Sequence, residues 1–240
     1  MKSLRLAMIL TLSAVLVSCA DGQWNKTVRG NGNVTKKERP ASYFDGVRVS
    51  SGIDVYLSQG DKESITVEAD DNLHEYILTE VKDGKLHVYT DNVTIREAER
   101  ERVYVTIRDV KSLKTSSAGD IVGETPVKGD KIEIGASSAG DISIDVFAKV
   151  VEIDISSAGD IKIAGEAETL NADLSSAGDL DAYNLKVKEA NVNVSSAGDA
   201  RVFVTDRLVA RSSSAGNITY QGSPKSVDAH SSSAGGIHGK

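Results

Sequence analysis

An all-β solenoid, a parallel β-helix, is the fold class predicted for this 240-residue chain, and two observations predict it. The string Ser-Ser-Ala-Gly recurs seven times, with its glycines at Gly119, Gly140, Gly159, Gly178, Gly198, Gly216 and Gly235 and spacings of 18 to 21 residues. Between copies, apolar and polar residues alternate with a period of two, the mark of strands that bury one face. A fixed period of this size marks a stacked repeat, in which each unit covers the apolar face of the next.

The elements follow in chain order. Residues 1–18 read as a processing signal, with Lys2 and Arg5 ahead of a short apolar run from Leu6 to Val17. The run ends in Leu16-Val17-Ser18-Cys19, which looks like the lipobox of bacterial lipoproteins. In that family the signal peptidase cuts before the cysteine and a diacylglycerol joins its thiol, so Cys19 is the expected lipid attachment site. The predicted address is the cell envelope, as an outer-membrane lipoprotein facing the periplasm or the outside, with the lipid as its only membrane contact. Cys19 is the only cysteine, which excludes an internal disulfide. Loss of Lys2 and Arg5 with the signal moves the net charge from −7 to −9. That balance argues against nucleic acid and predicts no basic patch for an anionic surface. Residues 19–40, polar and glycine-rich, read as a flexible tether.

Residues 41–110 are expected to form an irregular β-rich part. Strands are predicted near Phe44–Val49, Ile53–Leu57, Ser64–Glu68, Ile77–Val81, Leu86–Tyr89 and Val103–Ile107. Asp83-Gly84 marks a tight turn. Asp71-Asn72 ahead of Leu73, Tyr76 and Ile77 predicts a capped helix of one or two turns, and the charged run Arg96–Arg102 a solvated loop. Ser50-Ser51-Gly52-Ile53-Asp54 partly echoes the repeat, so the boundary with the regular part is soft.

Residues 111–240 are expected to form the regular β-helix. Ile142 and Ile144, or Ile161 and Ile163, follow their glycines by two and four positions; Ile155, Ile153 and Val151 precede theirs by four, six and eight. Each unit reads as strand, corner, strand and a second, variable corner. Glycine is assigned a left-handed conformation at the corner, with serine and alanine small enough to stack. Propellers need about twice this period, and leucine-rich repeats need a leucine–asparagine pattern that is absent. A sandwich of hairpins would not need one corner tetrapeptide seven times.

Phe44-Asp45-Gly46-Val47, Ser51-Gly52-Ile53-Asp54-Val55, Gly60, Asp83-Gly84-Lys85-Leu86 and the serial Ser-Ser-Ala-Gly-Asp corners together resemble the family called putative auto-transporter adhesin, head GIN domain. The likeness covers roughly residues 40–236. It implies a right-handed, single-stranded, pectate-lyase-like β-helix in an exported protein of Bacteroidetes-type bacteria. It carries over no catalytic residues, and it raises the expectation of binding only modestly.

Candidate chemistry is sparse. Asp120, Asp141, Asp160, Asp179 and Asp199 follow the corner glycines and would stack as a ladder, read here as structural: aspartate accepts a backbone N–H at a turn. A calcium ladder is the rival, but Asn217 and Gly236 replace the acid in the last copies. No metal, cofactor or enzyme activity is therefore expected. His74, His87, His230 and His238 are scattered, the serines lack a nucleophile setting, and the neighbouring acids Asp154 with Asp173 and Glu133 with Glu152 read as solvated faces. Tyr183 and Phe203, each five residues past a corner glycine, are expected at one place on adjacent coils, either as an outward sugar platform or partner contact or packed inward by the second corner. The last corner, Ser232 to Gly236, predicts fraying or end-to-end pairing with a second copy. The functional expectation is an adhesin-like binding surface for a glycan or an envelope protein. A structural or envelope-stress component without a ligand is second, and a polysaccharide-active enzyme third.

Overall fold

Alternation of apolar and polar residues makes strands wherever one face finds a core, and here every core-facing column finds one. A computed structural model describes residues 26–240; the signal, Cys19 and residues 20–25 lie outside the described residues. In chain order the strands are β1 (Lys26–Arg29), β2 (Val34–Arg39), β3 (Gly46–Val49), β4 (Asp54–Gln59), β5 (Ser64–Asp70), β6 (Ile77–Lys82), β7 (Lys85–Thr90), β8 (Val93–Arg96) and β9 (Glu101–Ile107). They continue as β10 (Ser112–Thr115), β11 (Asp120–Gly123), β12 (Val127–Ser137), β13 (Asp141–Ser156), β14 (Asp160–Leu174), β15 (Asp179–Val194), β16 (Asp199–Ser212), β17 (Asn217–Gln221), β18 (Ser226–Ser231) and β19 (Gly236–Gly239). No helix occurs among the described residues.

The stacked parallel strands form a β-solenoid of about seven turns, as the repeat predicted. From β12 onward each coil pairs in parallel with the next: Asp141 lies over Asp160, Asp160 over Asp179 and Asp179 over Asp199, and Ile153 over Ala172 and Ala172 over Val192. The predicted inward positions are buried, Leu170, Val192 and Leu208 completely, and the columns form one apolar core running from Phe44 to Ile218. Burying each large aliphatic side chain contributes about 1.5–3 kcal/mol, and stacking lets every rung do so.

The N-terminal part departs from the expected boundary. β3 pairs with β10 and β4 with β11, so the Ser50-Ser51-Gly52 echo is the first corner of the same column and the sheet continues without a break at 110. Moreover, β7 and β9 lie on the far side of β3 and β4, so a later chain segment forms the outer coil. Antiparallel strands then close that end: β6 pairs with β7, β5 with β9, and β2 with β5. The expected tether is thus structured from Lys26 to Arg39, where β2 joins this cap and β1 pairs with β8. The polar, glycine-rich composition concealed these strands because their partners supply the apolar surface. At the other end, β18 pairs only with β16 and β19 only with β17, so their outer edges carry no partner among the described residues.

Two local expectations are also corrected. Residues 71–76 form linked turns in which the Leu73 carbonyl accepts the N–H groups of Tyr76 and Ile77, and no helix follows, because Ile77 enters β6 at once. The charged run after Arg96 is a loop only to Arg100, since Glu101 and Arg102 belong to β9, where Arg102 pairs with Asp54.

The corners assign the residues differently from the expectation. In all seven copies the second serine takes the left-handed conformation, from Ser233 at φ 49° to Ser176 and Ser196 at 65°; Ala118, Ala139, Ala158, Ala215 and Ala234 do the same. The corner glycines do not. They are required for space: a Cβ on Gly159 would lie 2.6 Å from the Ala136 carbonyl carbon, and one on Gly216 would lie 2.7 Å from Val194 Cγ1.

Candidate functional site

Strands that turn alternate side chains outward necessarily build columns on the outer face, one side chain per rung about 4.8 Å apart. On the face that precedes the corners, one column runs His87, Arg48, Lys114, Gly135, Asp154, Asp173, Asn193, Arg211 and His230. Beside it stand the first corner serines, and between the two columns lies a groove. Its C-terminal stretch, about 430 Å3, is lined by Asp154, Asp173, Asn193, Arg211, His230 and the serines from Ser156 to Ser232. A second stretch of about 340 Å3 is lined by Arg48, Lys114, Ser116, Gly135, Ser137 and Asp154.

Inside the C-terminal stretch the polar groups mostly satisfy one another. Asn193 Nδ2 donates to Asp173 Oδ1 at 2.8 Å, and Arg211 grips Asp228 with its two terminal guanidinium nitrogens, at 3.1 and 2.7 Å. The Arg211 pair pulls the Asp228 carboxyl below its usual range. Asp154 and Asp173 do occupy neighbouring rungs, as do Glu133 and Glu152, and Lys131 Nζ sits 3.6 and 2.8 Å from the latter two. Asp173 is thus partnered by an amide and the two glutamates by a cation, which fits the solvated-face reading; Asp154 has no such partner among the described residues.

The sequence predicted no basic patch, yet pairing of distant segments makes one. Lys85, Lys111, Arg48 and Lys114 gather at the N-terminal end of the groove face with Glu133 at its rim. Lys85 donates to Asp45 at 2.6 Å and Lys111 lies 2.9 Å from the same carboxylate, which their hydrogen bonds hold below its ordinary range. Positions 48, 85, 111 and 114 meet only through the β7–β3–β10 pairing, so no local signal announced them.

The aspartate ladder is in register on the opposite flank of the corner, from Asp54 through Asp120, Asp141, Asp160, Asp179 and Asp199 to Asn217 and Gly236. Asp120, Asp160 and Asp179 each accept the backbone N–H of the ladder residue on the next rung, at 3.1 to 3.2 Å, and Asn217 Nδ2 donates to Asp199 at 3.0 Å. Burial pushes the Asp120 and Asp141 carboxyls up. Among the described residues no group of three or more His, Cys, Asp or Glu side chains is placed to hold a metal ion. Glu101, which directly precedes the residue paired with Asp54 at the capped end, is pushed up to about 7 by burial and then by the nearby charges of Asp54 and Asp70.

Tyr183 and Phe203 are not brought together. The register slips after Ala182–Val202, so that Lys186 lies over Phe203, and Tyr183 falls in the bulge. The coil starting at Asp179 is longer than the next one, and the bulge absorbs the difference. Tyr183 carries a buried hydroxyl without a partner and has Lys240 Nζ 5.6 Å from its ring centroid. Phe203 instead shares a column with Phe147, which is 42% exposed and which the sequence reading did not single out. The aromatic pair that does stack is Tyr56 with Tyr104, rings 5.3 Å apart, on two coils that are neighbours in space but not in sequence. The histidines stay apart; His74 is buried, with Nε2 3.0 Å from Thr35 Oγ1, and burial lowers its pKa.

Solved structures share this architecture. A putative adhesin from Bacteroides fragilis superposes with a TM-score of 0.83 at 19% identity, covering 89% of this chain and all of its own. A putative adhesin from Parabacteroides distasonis gives 0.73 at 25% identity over 90% of this chain and 100% of its own. A putative lipid binding protein from the same species gives 0.69 at 21%, again over 90% and 100%. No curated protein matches the chain closely enough to count as a relative. The model of the family described as putative auto-transporter adhesin, head GIN domain, matches residues 43–224.

Proposed function

From a chain that belongs to the putative auto-transporter adhesin, head GIN domain family, we propose a lipid-anchored envelope protein that binds extended glycans along the groove beside its serine column. The observation that carries this reading is the groove itself, which crosses successive rungs and offers hydroxyls, amides and charges at a repeating interval. A chain-like ligand laid along the solenoid axis meets the same chemistry rung after rung, so weak contacts accumulate. The family and two of the similar structures are described as adhesins and the third as a lipid binding protein, and the pairing of Asp173 with Asn193 and of Glu152 with Lys131 favours binding over turnover.

Glycan-array binding by the purified mature protein, lost when Asn193 and Ser175 are replaced by bulky residues such as tryptophan, is the expected result. Failure to bind any saccharide, with specific capture of one envelope protein in its place, would replace the glycan by that partner. The anchor is proposed at Cys19, outside the described residues. Palmitate labelling of whole cells should be lost in Cys19→Ala and the protein released from the membrane fraction. End-to-end association through β18 is a further proposal, suggested by its unpaired outer edge and by Val227, which is 42% exposed at a core position. A strict monomer by light scattering over a wide concentration range would remove it.

A further inference from the structure

Within that glycan-binding reading, on which this inference rests, we propose that the groove's second stretch is a subsite for an acidic sugar. Arg48 and Lys114 would hold the carboxylate, Gly135 would admit the ring, and Asp154 would receive its hydroxyls.

Gly135 is the starting point. In the outward column from His87 to His230 it is the only position without a side chain. It lies inside β12, where glycine weakens a strand, and its φ is not in the left-handed region. Space does not require it either. A Cβ there would meet nothing closer than Lys114 Cγ at 3.6 Å and the Asp154 carbonyl oxygen at 3.7 Å, both ordinary contacts. The corner glycines are enforced by the fold, whereas Gly135 is not. A strand glycine without a conformational or packing cause often marks a place where a ligand comes close to the backbone.

The charges around it point to the ligand's chemistry. Arg48 and Lys114 face each other on adjacent rungs, an arrangement in which like charges repel. Neither forms an ion pair among the described residues, although the neighbouring Lys85 and Lys111 are both engaged by Asp45. In a chain of net charge −7, two uncompensated cations side by side are an anion site in waiting. On the other side of the gap, Asp154 makes no ion pair or side-chain hydrogen bond among the described residues, while the next acid in the column, Asp173, is held by Asn193. A group with a carboxylate at one end and hydroxyls at the other matches this order of cation, gap and free acceptor, with Ser116 and Ser137 along the side. A hexuronic acid residue has that form. A simple sulfate has no hydroxyl to offer Asp154, and a phosphate is too small to set its charge on the cations and its hydroxyl on Asp154 across the gap.

Titration calorimetry with octagalacturonate and with its fully methyl-esterified form tests the assignment on the full mature protein. The acid form is expected to bind about tenfold or more tightly than the ester. Arg48→Gln with Lys114→Gln should erase that difference, and added salt should weaken only the acid form. Gly135→Thr should abolish binding of the acid while the melting temperature holds or rises, which separates blockage from unfolding. Equal binding of acid and ester, lost together in Gly135→Thr, would leave the glycan groove standing and overturn the charge assignment. Competition by millimolar inorganic phosphate as effective as the oligosaccharide would overturn it as a bare anion site. Binding of neither form, beside positive array glycans, would overturn the subsite alone; an array without any ligand would overturn both.

Discussion

Gly159 and Gly135 have no side chain for opposite reasons, and their alanine variants should therefore move stability in opposite directions. At Gly159 an added methyl meets carbonyl and backbone atoms of Ala136 and Ser137. Gly159→Ala should cost about 1–3 kcal/mol in urea unfolding. At Gly135 the methyl finds ordinary contacts, so Gly135→Ala should gain about 0.5–1 kcal/mol by restricting the unfolded chain. Glu101 adds a pH-dependent prediction. Its folded-state pKa is raised to about 7 from an ordinary 4.5, so the folded protein binds this proton more tightly than the unfolded chain does. The favourable contribution is full below about pH 4.5 and is lost as the pH rises through about 7. Glu101→Gln should then be more stable than the parent by about 1–2 kcal/mol at pH 8, allowing for partial solvent screening, and the advantage should vanish near pH 4. Equal stabilities at both pH values would contradict the buried-carboxyl account. These residue roles were partly legible beforehand. The corner motif showed which glycines mattered but not that they are there for space, because a left-handed and an overcrowded position both select glycine. Gly135 and Glu101 gave no signal at all, since their neighbours come from other rungs.

At the scale of the strand and the corner, the period-two pattern was sufficient. Ile142, Ile161, Leu180, Ala200 and Ile218 fall in one buried column because each sits two residues past its glycine and the corners stack. The exception, Tyr183, shows the limit: constant distance from a corner places a residue correctly only until a bulge intervenes, and the unequal repeat lengths warned of one. Antiparallel strands β2, β5 and β6 were harder to place because nothing in their composition names a partner; the tether reading failed for that reason. Stability should be concentrated where coils are covered on both sides. Leu170→Ala, in the middle of the column, should cost about 2–5 kcal/mol, measured by denaturant unfolding. The same logic orders hydrogen exchange. Amides of β18, whose six residues are all exposed, should exchange first, and those of β14, paired with β13 and β15, last. Early exchange in β14 would mean the central rungs open independently of the ends.

The whole molecule is a column closed at one end by its own antiparallel strands and ruled along its length by parallel rows of side chains. That ruling is what converts a repeated sequence into a continuous groove, and both the glycan reading and the acidic-sugar subsite inherit it. Fold class and corner register were legible because seven copies repeat the same local solution. The position of the basic cluster was not, because the coil from Lys85 to Ile107 sits outside the one from Gly46 to Gln59, an inversion of chain order with no counterpart in the repeat. The most direct test is a set of electron–electron spin distances from labels at the exposed second corner serines. Ser138 would be paired in turn with Ser176, Ser214 and Ser233, which lie two, four and five rungs away. The account predicts backbone separations that grow linearly by about 4.8 Å per rung, near 10, 19 and 24 Å. Distances that fail to increase along the series would show that the corners do not stand in one column, and the groove would not exist.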